Sequence, residues 1–262
     1  MIDTHAHLNY PPLAADVAGV LSRASEAGVA RIVVPGTSRE SSDSAVALAG
    51  QYAQVYAAVG VHPSDAHETT PADIERITTL SLNPKVVAIG EVGLDYFHFD
   101  ELGESEVEAR KALQKAVLYE IVSLAKEVDK PLIIHSRDCF QDLYDILSVE
   151  AKGMKTVIHC FTGSQEEADA WLALGFHLSF TGILTYKNAE ALRAVATGVP
   201  WDRVMVETDA PYLAPQAFRG QTCEPAMVMA VAEQLAALKN VDVSEVDERT
   251  TSTADAFFNF VS

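Results

Sequence analysis

The chain has 262 residues, of which 48% are apolar and 21% charged, and its formal net charge is −18. That composition excludes disorder as the main state, and no apolar run approaches the ~18 residues a membrane span needs. The 37 acidic against 19 basic side chains exclude a protein that coats duplex nucleic acid by counterion release, but not an enzyme that grips one phosphodiester through local cations.

In chain order, eight apolar or β-branched runs predict strands: Met1–His7, Arg31–Gly36, Val55–Val61, Val86–Val92, Leu132–His135, Thr156–Cys160, His177–Thr181 and Val204–Glu207. Amphipathic stretches predict helices over Ala15–Ala27, Ser41–Gln51, Glu106–Val128, Cys139–Leu147, Gln165–Leu174, Ala189–Ala196 and Glu224–Leu238. This alternation points to parallel βαβ units and, in a chain of this length, to a closed (β/α)8 TIM-like barrel. An open doubly wound sheet is the runner-up, but no Gly-rich GxGxxG turn supports it. No linker interrupts the chain, so residues 1–262 are expected to form a single barrel domain. The opening Met1-Ile2-Asp3-Thr4-His5 lacks a leader pattern, and Cys139, Cys160 and Cys223 are too far apart to make a disulfide framework. A reducing cytoplasm is the expected location.

Nearly every predicted strand ends in a residue able to do chemistry. These ends are His5-Ala6-His7, Val61-His62-Pro63, Gly90-Glu91, Ile134-His135-Ser136-Arg137, Ile158-His159-Cys160 and Glu207-Thr208-Asp209. In a (β/α)8 barrel such ends converge on one mouth. His5 and His7 are two apart, so a strand points both to one face. Burying two imidazoles there is costly unless something uses their nitrogens. His135 and His159 follow apolar strand cores, and Glu91 and Asp209 end apolar strands. Four histidines and two carboxylates exceed what one tetrahedral zinc with an open position needs. They suit two divalent ions sharing a bridging carboxylate, ~3.5–4 Å apart. Zn, Mn, Mg, Co and Ni are the candidate ions, with the imidazoles weighing against pure Mg. Cys160 directly follows His159, so on an extended strand it would point towards the helices and not serve as a ligand.

The segments Asp3-Thr4-His5-Ala6-His7-Leu8, Gly90-Glu91-Val92-Gly93-Leu94-Asp95-Tyr96, His159-Cys160-Phe161-Thr162-Gly163 and Glu207-Thr208-Asp209-Ala210-Pro211-Tyr212 resemble those of the TatD family of metal-dependent deoxyribonucleases, of the amidohydrolase-like superfamily. The resemblance runs in order from Asp3 to about Phe258. It implies that His5, His7 and Asp209 hold one metal, that His135 and His159 hold the second, and that Glu91 bridges them. It further implies that His62 contacts the substrate phosphate, that Arg137 faces the substrate, and that the activity is 3′–5′ exonuclease. Departures fall in Arg219-Gly220-Gln221-Thr222-Cys223-Glu224-Pro225, where Gln221 and Cys223 replace the family's lysine and asparagine. Glu224 is retained, as a helix N-terminal carboxylate or a hydrogen-bonding support to the site. The acidic Phe97–Glu108 segment should sit at the mouth as a loop and narrow substrate choice.

The expected chemistry is in-line attack on phosphorus by a hydroxide that two divalent metals activate. Asp209 accepts the water's proton, Glu91 holds the metals together, and His62 or Arg137 neutralises the phosphate. The expected substrate is DNA at single-stranded or frayed 3′ ends, with no membrane and no obligate protein partner. Tyr96, Phe97, Phe161 and Tyr212 are candidates for stacking on bases. The alternatives are an ester or amide hydrolase on the same scaffold, such as an aminoacyl-tRNA deacylase, and an inactive metal-binding barrel.

Overall fold

The computed structural model describes residues 1–97, 99 and 102–260. Residues 98, 100 and 101 of the acidic segment, and residues 261–262, lie outside the described residues. Eight parallel strands form one sheet in chain order: β1 (Ile2–Asp3), β2 (Arg31–Pro35), β3 (Val55–Val59), β4 (Val86–Asp95), β5 (Leu132–Arg137), β6 (Thr156–Ile158), β7 (His177–Phe180) and β8 (Val204–Val206). Between them lie α1 (Val17–Glu26), α2 (Arg39–Gln51), α3 (Pro71–Ser81), α4 (Glu104–Glu127), α5 (Phe140–Glu150), α6 (Gln165–Ala173) and α7 (Glu190–Gly198). After β8 come α8 (Val228–Lys239) and α9 (Val243–Phe258). This is the (β/α)8 barrel that the alternating pattern predicts.

The strands carry two apolar layers, as parallel strands buried on both faces must. Ile32, Val34, Val55, Ala57, Val59, Leu132, Ile134, Ile158, Val204 and Val206 pack in the large cluster beneath the helices. The alternate residues Val33, Tyr56, Ala58, Ile133, Val157 and Met205 form the barrel interior, with Ile2. Phe257 and Phe258 of α9 join that inner cluster and plug its lower end. Period two then carries the inner face upward, from Ile133 to His135, Val157 to His159 and Met205 to Glu207.

The barrel's seam is thin. Among the described residues no ladder joins β8 to β1; an isolated parallel bridge, Ala6 with Ala210, closes the sheet. Thr4 N–H donates to Val206 O at 3.3 Å, His7 N–H to Ala210 O at 2.7 Å, and Asp209 N–H to His5 O at 2.9 Å. The first strand is thus shorter than the expected Met1–His7. The ladder stops at Asp3, whose buried carboxylate accepts from His5 N, Thr208 N and Thr208 Oγ1. The chain loses one step there, so that Ala6 and Leu8, not His5 and His7, join the outer cluster.

Two helices lie outside the predicted set. α3 begins with a Thr70–Asp73 capping box and Pro71 in its first turn. α9 is rich in Thr, Asp and Glu, and buries Val246, Thr250, Thr253, Ala254, Phe257 and Phe258. α4 starts at Glu104, so helix replaces the second half of the expected acidic loop.

Candidate metal centre

Glu91 sits at the centre of the mouth, 3% exposed. The Gly90–Glu91 peptide is cis, and the β4–β5 register shifts between Ile89 and Val92. A Cβ on Gly93 would lie 1.9 Å from the carbonyl oxygen of His135, so glycine there lets β4 press against β5. The two Glu91 oxygens face different groups. Oε1 lies 2.8 Å from His135 Nδ1, 2.8 Å from His159 Nε2 and 3.5 Å from His62 Nε2. Oε2 lies 3.2 Å from His5 Nε2 and 3.7 Å from His7 Nε2. Asp209 Oδ1 completes the second group, 3.7 Å from His5 Nε2 and 3.5 Å from His7 Nε2. The ligand atoms of His5, His7 and Glu91 fall within 4.8 Å of one another, as do those of Glu91, His135 and His159. All six residues that the sequence singles out as metal candidates therefore meet here.

The electrostatics follow from this crowding. Burial pushes the Glu91 carboxyl up, but His159, His62, His5 and His135 outweigh it and hold it well below the usual range. Burial pushes His159 down, but Glu91 and Glu207 hold it well above its usual value. Burial and the neighbouring His159 keep His5 low. Asp209 is half-buried; burial pushes its carboxyl up, but His7, His5 and His159 outweigh it and hold it low. The donor set suits divalent cations. His5 and His7 bring their Nε2 atoms to 3.3 Å of each other, beside anionic oxygens. Five lone-pair donors around a shared, buried carboxylate are what two such ions take.

A cavity of about 690 Å³ opens over this cluster. His62 stands at its wall, with Nδ1 accepting from Ser64 N at 3.1 Å, which leaves the proton of a neutral ring on Nε2, facing the mouth. Burial lowers its pKa to about 4 despite Glu91. Arg137 ends β5, exposed, with its guanidinium 3.5 Å above the Phe97 ring. Of the stacking candidates, Phe97 and Tyr212 are exposed at 45% and 54%, whereas Phe161 is buried and Tyr96 is tied by its hydroxyl to Asp142 at 2.8 Å.

One expectation is corrected. Cys160 does not face the helices: β6 has already ended at Ile158, and a left-handed φ of 47° turns Cys160 to line the cavity. Burial and Asp209 raise its thiol well above the usual range, so it stays protonated. Of the two roles expected of Glu224, the helix N-terminal one holds: it caps the turn Pro225–Met227 that leads into α8, and its carboxylate pairs with Arg23 of α1 at 2.7 Å. Cys223 is a core residue, its N–H bonded to Pro211 O.

Sequence reasoning missed Asp95, Glu207 and Tyr10. Asp95 Oδ2 meets His135 Nε2 at 3.1 Å. Glu207 Oε1 accepts from Cys160 N at 2.7 Å and faces His159 Nδ1 at 3.3 Å, and its Oε2 takes Thr4 Oγ1 at 3.3 Å. Tyr10 stacks on His7 with ring centroids 4.8 Å apart, its hydroxyl against Thr37 Oγ1. Asp95 and Glu207 were visible as strand-end carboxylates beside the chosen ones; Tyr10 left no signal.

Imidazoles and carboxylates gathered at the C-terminal mouth of a (β/α)8 barrel define a metal-dependent hydrolase. The chain belongs to the TatD family: the family described as TatD related DNase matches residues 2–259. It is 43% identical to the uncharacterized metal-dependent hydrolase YabD of Bacillus subtilis, over 98% of each chain. It is 38% identical to the uncharacterized metal-dependent hydrolase YcfH of Escherichia coli, over 99% of this chain and 96% of that one. The crystal structure of YjjV, a TatD homologue from Escherichia coli, matches with a TM-score of 0.91 and 32% identity, covering 99% of this chain and 98% of that one.

Proposed function

We propose that this hydrolase is a deoxyribonuclease that cleaves phosphodiester bonds from the 3′ ends of single-stranded or frayed DNA, with two divalent ions in the mouth. The observation that carries this reading is the division of Glu91, each of whose oxygens faces its own histidine group. His5, His7 and Asp209 would hold one ion, His135 and His159 the other, and Glu91 both. Two divalent ions held there would supply Lewis acidity, lowering the pKa of water towards neutrality and polarising the phosphoryl group. Asp209 has its carboxylate at the cavity and ionised, fit to accept the proton of the attacking water. His62 presents its Nε2–H to a non-bridging phosphate oxygen. Arg137, which also lines the cavity, neutralises the same or the next phosphate. Phe97 and Tyr212 offer exposed rings for bases.

The net charge of −18 supports few phosphate contacts. Binding should therefore weaken only shallowly with salt, with a slope well short of six contacts. The eight-stranded sheet supports reading residues 1–262 as one hydrolase domain.

The test is 5′-labelled single-stranded DNA, incubated with EDTA and then with Mg, Mn, Zn or Co, alongside Glu91→Ala. The expected result is a ladder that shortens from the 3′ end with metal, and is lost in EDTA and in the variant. Absence of cleavage with every metal overturns the nuclease assignment. Equal cleavage by wild type and Glu91→Ala overturns the site.

A further inference from the structure

The four metal-facing imidazoles are not supported alike. His135 Nε2 meets Asp95 Oδ2 at 3.1 Å while its Nδ1 faces Glu91. His159 Nδ1 meets Glu207 Oε1 at 3.3 Å while its Nε2 faces Glu91. The Nδ1 atoms of His5 and His7 are buried with no hydrogen-bond partner among the described residues. Away from the nitrogens that face the carboxylates, those two rings meet other rings, His5 stacked on His159 at 4.0 Å and His7 on Tyr10 at 4.8 Å.

An imidazole that gives one nitrogen's lone pair to a cation carries its proton on the other. A carboxylate that accepts that proton fixes tautomer and ring angle and strengthens the donor. Asp95 and Glu207 are themselves anchored: Asp95 Oδ1 takes Phe97 N at 3.0 Å, and Glu207 takes Cys160 N and Thr4 Oγ1. Neither must reorganise when an ion arrives. Glu91 serves both groups, so it does not distinguish them.

We propose that Asp95 and Glu207 are positioning residues that make the Glu91–His135–His159 side the tighter cation position, so that the two ions bind in a fixed order, this side first. The proposal rests on the two-ion reading above.

The test is calorimetric titration of the metal-free full chain with Mn²⁺, and a parallel titration with Co²⁺ followed by its visible absorption. Wild type should show two unequal binding events. His7→Ala should remove the weaker one and keep the tighter. Asp95→Ala should weaken the tighter event by about 10–100-fold and leave the weaker one unchanged. Asp95→Asn, whose amide oxygen still accepts from His135, should recover most of that loss. Glu207→Gln, which keeps the acceptor but removes the charge, should show a partial loss in the tighter event and serves as the second variant if Asp95→Ala fails to fold. Two equal events, or a loss confined to the weaker event, would overturn the proposal while leaving two ions in place. Binding of fewer than two ions by wild type would overturn the two-ion reading itself.

Discussion

His177 opens β7 at the lower end of the barrel, edge-on to Phe257 of α9 with ring centroids 4.9 Å apart. Burial, then the positive charge of Arg203, lowers its pKa to about 4, and Lys155 adds to this while Asp202 opposes it. In the unfolded chain an imidazole titrates near ~6.5. The unfolded chain therefore takes up the extra proton between those two values. The stability tied to neutral His177 is complete above ~6.5, falls as the pH drops through that window, and is fully lost below about 4. At pH 5 the linkage relation gives a loss of ~2 kcal/mol, trimmed to ~1–2 kcal/mol by solvent at the ring's exposed edge. The perturbation is His177→Gln. Urea unfolding of wild type and variant at pH 7.5 and pH 5 gives two pH-dependent losses, whose difference isolates His177, because His62 and the other titrating groups are common to both. Wild type should lose ~1–2 kcal/mol more than the variant. Equal losses would refute the argument that burial of a neutral imidazole stabilises this end of the barrel at neutral pH.

Three other outcomes are expected. Arg137→Ala should raise KM for single-stranded DNA more than it lowers kcat, and flatten the salt dependence of binding by about one phosphate contact; an unchanged salt slope would remove Arg137 from the substrate path. Gly93→Ala should lower the melting temperature by an amount equivalent to ~1–3 kcal/mol or more, since the new Cβ meets the fixed backbone oxygen of His135 at 1.9 Å. Added Mn²⁺ at about a hundred times its Kd should stabilise the fold by ~2.7 kcal/mol in thermal melts, reversibly with EDTA. Glu91→Ala should abolish most of that gain.

The strands were legible because parallel strands buried on both faces are written as short β-branched runs, such as Val55–Val59 and Val86–Ile89. α3 was missed because Ile74, Ile77 and Leu80 are its only large apolar residues, although its capping box stood in plain view. α9 was missed for the same reason: its buried face is half Thr and Ala, and Phe257 and Phe258 come only at its end. At the mouth, period two explains why the strand-end histidines were readable as a group. Cys160 departs from the period-two pattern because β6 ends at Ile158 and the backbone turns left-handed at Cys160, which nothing in the apolar run signals. The roles of Asp95 and Glu207 were illegible because each depends on which nitrogen of a distant imidazole it meets, and that is set by tertiary packing across 40 and 48 residues.

The thin seam between β8 and β1 gives the mouth a mechanical meaning. His5 and His7 lie on one lip of that seam and Asp209 on the other, and few backbone bonds join the lips. An ion held by all three would act as a clasp on the hoop of strands, closing the circle where the hydrogen-bond ladder leaves it open. The site chosen for chemistry would then also be the barrel's fastening, and loss of the ion would loosen the hoop at the seam before the opposite wall, where β4 and β5 stay laddered, felt anything.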